Sequence, residues 1–104
     1  MWYILDENNN PVPVNDTYEY FSWLDEDETR KVVKQEVVNG KYVSTVFLGM
    51  DHNYNNFGSP ILFETMVFPE KGNFSEIYCE RCCFYDDALM MHQEAIQWVR
   101  KGGQ

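Results

Sequence analysis

Basic residues are scarce in this 104-residue chain: eight Lys and Arg stand against seventeen Asp and Glu, a net charge of −9. That deficit repels phosphates and leaves no basic footprint, so nucleic acid is not expected as a partner. Cysteine is also scarce. Cys79, Cys82 and Cys83 are an odd number crowded together, which is no framework for stapling a secreted domain, so free thiols and a cytoplasmic location are expected. No apolar run approaches the roughly 20 residues of a membrane span. Met1 to Leu5 gives way at once to Asp6 and Glu7, unlike a signal peptide, and no membrane association is expected. A G-x-S-x-G elbow, a phosphate loop and an H-E-x-x-H helix are all missing.

What is present is apolar and aromatic. Hydrophobic residues make up 44% of the chain and aromatics 16%, too many for a disordered segment and enough for one core, so residues 1–104 are read as a single domain. Trp2 to Leu5 reads as a strand, and Asp6 to Asn10 with Pro11 and Pro13 as a turn-rich connection. A helix begins near Asp16, where Asp16 and Glu19 form an acidic variant of a capping box and Tyr20, Trp23 and Leu24 share a face. It should end at Asp25, Glu26, Asp27 and Glu28, whose charge opposes the negative pole of the helix dipole.

Arg30 to Val38 is rich in β-branched residues. Asn39 and Gly40 signal a type I′ hairpin into Lys41 to Met50, with Val37 facing Tyr42 and Val33 facing Val46. Pro60 to Phe68 and Phe74 to Phe84 read as the next two strands, and a closing helix runs from Asp86, as N-cap, to Lys101. The expected fold is α+β, an antiparallel sheet of four to five strands in the order β-α-β-β-β-β-α with the C-terminal helix packed on one face. The two central strands are apolar on both faces. Their second face is expected to be covered by the first helix or by another copy of the chain, which makes a homodimer or higher homo-oligomer the expected state.

Candidate site residues fall in a few places. The polar loop between the central strands carries Asp51, His52 and Asn53, then Asn55, Asn56, Gly58 and Ser59, types that either hold a ligand or turn a hairpin. Glu64 is a carboxylate in an apolar strand, either a ligand group or the partner of Arg81 on the next strand. His92 lies on the apolar stripe Ala88, Met91, His92, Ala95, Trp98 and Val99, where a hydrogen-bonded core role competes with a ligand role. Arg81 and Lys41 are the cations available to an anionic ligand. Cys79 and Cys82 with His52 and His92 would make a zinc set only if a bulge brought the cysteines together, since i and i+3 of a strand point apart; no metal is expected. Asp51 and His52 with Ser44 or Ser59 supply the types of a hydrolase triad without its geometry, so no catalytic residue and no cofactor are expected.

The wording of the chain, WYILDENNNPVPV, then VSTVFLGMDHN, then LFETMVF, then a closing D-x-A-x-x-x-H helix, resembles a family of small phage and prophage proteins. The likeness spans most of the chain, and its matching positions are Thr45, Asp51, His52 and Asn53, then Glu64, Thr65 and Met66, then Asp87, Ala88 and His92. The chain departs from that pattern at Tyr54 to Phe57, where the family is Gly/Pro-rich, at Pro69 and Glu70, where it has glycines, and at Tyr85, where it has tryptophan. The resemblance implies a small accessory protein acting in the bacterial host cytoplasm by stoichiometric binding. One form of that expectation is sequestration of a small host molecule such as a nucleotide signal by Thr45, Asp51, His52, Asn53, Glu64, Arg81 and His92. The others are an acidic decoy that binds a host protein through Asp25 to Glu28, and a small hydrolase built on Asp51 and His52.

Overall fold

The computed structural model describes residues 1–55 and 57–103, so Asn56 of the polar loop lies outside the described residues. The fold is α+β. Strands β1 (Trp2–Leu5) and β2 (Pro11–Val14) form a two-stranded antiparallel ribbon, followed by helix α1 (Thr17–Glu26) and a 3-10 helix (Glu28–Lys31). Strands β3 (Val32–Val38), β4 (Lys41–Phe47), β5 (Phe63–Phe68) and β6 (Tyr78–Cys82) make an antiparallel sheet in sequence order, and helix α2 (Tyr85–Arg100) lies across it.

Local chemistry accounts for most element ends. Asp16 caps α1 by accepting from the Glu19 amide at 3.0 Å. The acidic run breaks the helix as expected, because Asp27 turns extended and becomes the cap of the 3-10 helix, accepting from the Thr29 amide and hydroxyl. Asn39 and Gly40 both take positive φ, as the tight turn between β3 and β4 requires. Gly49 is needed twice over: its φ is +78°, and a Cβ there would lie 2.3 Å from the Tyr20 ring.

Four expectations need correction. Pro11 to Val14 is a strand, since its outer edge is unpaired and the missing proline donors cost nothing there. Val32, not Val33, faces Val46, because the register shifts between Val32 and Lys34 in a bulge. Helix α2 starts at Tyr85 with Phe84 as its cap, whose carbonyl accepts from the Ala88 amide, so Asp86 sits in the first turn and acts through the helix dipole. The strands stop short at Phe47, Phe63, Tyr78 and Cys82.

Helix α2 covers one face of the sheet. Val43, Thr45 and Phe47 on β4 with Phe63, Thr65 and Val67 on β5 point toward α2, whose Ala88, Met91, His92, Ala95, Ile96 and Val99 are buried against them. Helix α1 packs on β1, β2 and the 3-10 helix, and its Trp23 meets Phe47 at the end of the sheet, so it does not cover the second face. That open face carries Val37, Tyr42, Val46, Met66 and Phe68.

Candidate functional site

Alternation along the strands sorts the candidate residues onto opposite sides of the sheet. Thr45 and His92 are sealed under α2, whereas Glu64 and Arg81 are on the open side. These groups form no single site.

The sealed side holds a chain of hydrogen bonds. His92 is fully buried, its Nε2 2.7 Å from Glu36 Oε2 and its Nδ1 2.6 Å from Thr45 Oγ1, and Thr45 Oγ1 is 2.5 Å from Thr65 Oγ1. One proton arrangement satisfies the whole set with a neutral ring: Nε2–H donates to the Glu36 carboxylate, the Thr45 hydroxyl donates to Nδ1, and the Thr65 hydroxyl donates to Thr45. The bond from His92 holds the Glu36 carboxyl below its ordinary pKa, with a smaller contribution from Lys34 at 3.6 Å. Carboxylate, imidazole and hydroxyl stand in the order of a hydrolase triad, yet the Thr45 hydroxyl is fully buried and shared with Thr65, so no substrate reaches it. The arrangement pins α2 to β3, β4 and β5.

Sequence reasoning missed Glu36 and gave Thr65 no role. Glu36 offered one signal: it is the acidic residue that alternation places on the same face as Val38, toward the helix.

On the open side, Glu64 and Arg81 are directly opposed in the β5–β6 ladder and paired through Nε at 2.7 Å. Glu64 is buried and Arg81 half-exposed, and the hydrogen bond to Glu64 raises the Arg81 pKa further. Cys79 donates a long thiol contact to the same carboxylate, and burial followed by that negative charge raises its pKa. Arg81 is therefore already matched by a carboxylate.

The D-H-N loop spends its polar groups on itself. Asp51 Oδ1 accepts from the Asn53 amide at 2.7 Å and the Ile61 amide at 2.9 Å, and Asn53 Nδ2 donates to the carbonyls of Phe57 and Ser59. His52 donates from Nδ1 to the Met50 carbonyl at 2.8 Å. The loop is a tied hairpin end. Its amides at residues 52, 53 and 61 are committed within it and are not presented to a ligand.

The acidic run is half committed as well, since Glu26 pairs with Arg30 at 3.1 Å and Asp27 is a cap held below its ordinary pKa by the Thr29 hydroxyl and amide. Asp25 and Glu28 complete the exposed run. Cys79 and Cys82 face opposite sides of β6, and no cluster of three or more metal-ligating side chains occurs among the described residues. No helix among them is long and apolar enough to cross a membrane. No family model matches the chain, and neither a curated protein nor a solved structure matches it.

Proposed function

We propose that this chain is a stoichiometric binding protein of the small accessory kind, working as a homodimer joined across the open face of its sheet. The observation that carries this reading is where charge is not. Among the described residues, a chain of net charge −9 gives the strands of the open face just one charged pair, Glu64 and Arg81, which neutralises itself, with the Lys71 ammonium at the margin over the Tyr42 ring. Around it stand Val37, Tyr42, Val46, Met66 and Phe68, with a Gln35–Ser44 hydrogen bond as the other polar feature. A largely apolar face without negative excess suits another copy of itself, because two such acidic surfaces repel everywhere else.

Binding is preferred to turnover because the one carboxylate–imidazole–hydroxyl series is locked under α2. A partner protein is preferred to a small molecule because the residues assigned to a pocket lie on both sides of the sheet.

Sedimentation equilibrium tests the dimer. Wild-type protein is expected to sediment as a dimer, and Val37→Lys with Met66→Lys as a folded monomer. A wild-type monomer across the accessible concentration range, or a dimer indifferent to both lysines, contradicts the reading.

A further inference from the structure

Exposed sheet edges invite another strand, and folded proteins block them with proline, bulges, charge or a covering element. Three of the four edges here are blocked in such ways. Strand β2 carries Pro11 and Pro13, β3 carries a bulge with Lys34 beside it, and β1 is held on its outer side by the Trp2–Met50 bridge and the Tyr3 amide to Gly49 carbonyl bond. Strand β6 has no proline, bulge or covering strand among the described residues, and its charges Glu80 and Arg81 point to the two faces of the sheet rather than along its edge. Its ladder to β5 runs in unbroken register, its central residues Cys79, Glu80 and Arg81 are exposed, and no strand among the described residues pairs with its outer edge. Alternate N–H and C=O groups of an antiparallel edge strand point outward, ready to bond.

Beside this edge runs a groove. Tyr78, Glu80 and Cys82 lean toward α2, and two clefts of about 550 and 230 Å³ lie end to end between them and the flank of the helix, sharing Glu94. The larger is walled by Tyr78 and Trp98, whose rings stand 4.9 Å apart, and the smaller by Met90. Glu80, Asp87 and Glu94 line the pair of clefts against Lys101, since Arg81 is taken by Glu64. Burial, Glu80 and Glu94 together raise the Tyr78 hydroxyl pKa, so both carboxylates act on the same spot. From Asp87 to Lys101 the helix flank extends ~21 Å at 1.5 Å per residue, the length of about six extended residues.

We propose that β6 is a docking edge, on which an extended basic segment of a partner protein adds as a fifth strand. Alternate side chains of that segment lie in the groove beside α2: lysines or arginines opposite Glu80, Asp87 and Glu94, and one aromatic or aliphatic side chain against Tyr78 and Trp98. Main-chain bonds supply affinity and the groove supplies selection. The groove lies on the helix side of β6, while Cys79 and Arg81 of the same strand belong to the open face; the dimer is read by sedimentation and the edge by peptide-induced amide shifts at fixed protein concentration, so either reading can fail alone.

The probe is a blocked heptapeptide alternating lysine with valine and one tryptophan, titrated into the labelled full chain and followed by amide chemical shifts. Saturable binding is expected, with shifts confined to β6 and the residue 90–101 flank of α2. Glu94→Lys, on the exposed flank of a helix, should weaken it at least tenfold, as should N-methylation of alternate peptide nitrogens, which keeps the charge and removes main-chain donors. A glutamate version of the peptide should not bind. At fixed protein concentration, the proposal is overturned if no shifts appear at β6 or if the N-methylated peptide binds equally well.

Discussion

The two faces of the four-stranded sheet are built from the same strands and hold the same kinds of polar group, a carboxylate with a cationic or imidazole partner, in opposite settings. Under α2, Glu36 and His92 belong to a hydrogen-bonded series that ends in two fully buried threonines. On the other side, Glu64 and Arg81 pair across two strands with the guanidinium half in water. Burial makes the first arrangement a structural clamp, since His92, Thr45 and Thr65 are fully buried and find their side-chain partners within the series. The second is a local neutralisation, in which the buried Glu64 carboxylate meets a guanidinium half in water on the open face.

The sharpest way to break this contrast is His92→Ala, which opens a cavity and removes the ring that joins Glu36 to Thr45, leaving Glu36 to Lys34 and Thr45 to Thr65; a loss of about 3–5 kcal/mol is expected in urea unfolding. Arg81→Ala on the open side should cost less, about 1–2 kcal/mol, because Arg81 is half in water and its truncation opens the buried Glu64 carboxylate to solvent. Equal losses for the two would erase the distinction. Gly49→Ala tests the seam where α1 joins the sheet: a strained positive φ and a collision with the Tyr20 ring should cost about 2–4 kcal/mol. Thr65→Val removes the last hydroxyl of the series while keeping its shape, and about 1–2 kcal/mol should be lost.

Acid sharpens the comparison further. The folded-state pKa of Glu36 is lowered below its ordinary 4.5, first by the bond from His92. Its contribution is therefore present above the unfolded pKa and lost as pH falls through the lower folded value. Stability of the wild type should decline across that acidic window, and Glu36→Gln should flatten the decline at a cost of about 1 kcal/mol at neutral pH. An unchanged acid limb in the variant would remove Glu36 from the account. The smallest effect on stability, within about 0.5 kcal/mol, is expected for Val37→Lys, because the side chain is 59% exposed in one copy of the chain.

Where a signal is local, the sequence was readable. Asp16 as the cap of α1, Asn39 with Gly40 and the apolar stripe of α2 each depend on neighbours within a turn or two, and each forms as expected, although Glu19 reaches back to the Asn15 amide rather than to that of Asp16. The misreadings share a different cause. Pro11 and Pro13 sit in a strand because that edge has no partner to miss their donors, and Val33 shifts register because a bulge absorbs one residue. Neither fact is visible before the strands are assembled.

The candidate site was legible in residue type and not in company. Thr45 and His92 meet each other across 47 positions, and His92 meets Glu36 across 56. Nothing in a single strand's alternation says which side the helix will take. The D-H-N triplet looked like a ligand loop because the residues that tie a long hairpin are the same types that bind ligands.

The most direct test is carbene footprinting of the intact protein over a dilution series, read at single side chains. Val37 and Met66 should be labelled when dilute and protected when concentrated, while His92 and Thr45 stay unlabelled throughout. Labelling of Val37 and Met66 that ignores concentration, or labelling of His92 in the folded protein, would contradict a molecule with one sealed face and one face made to be covered.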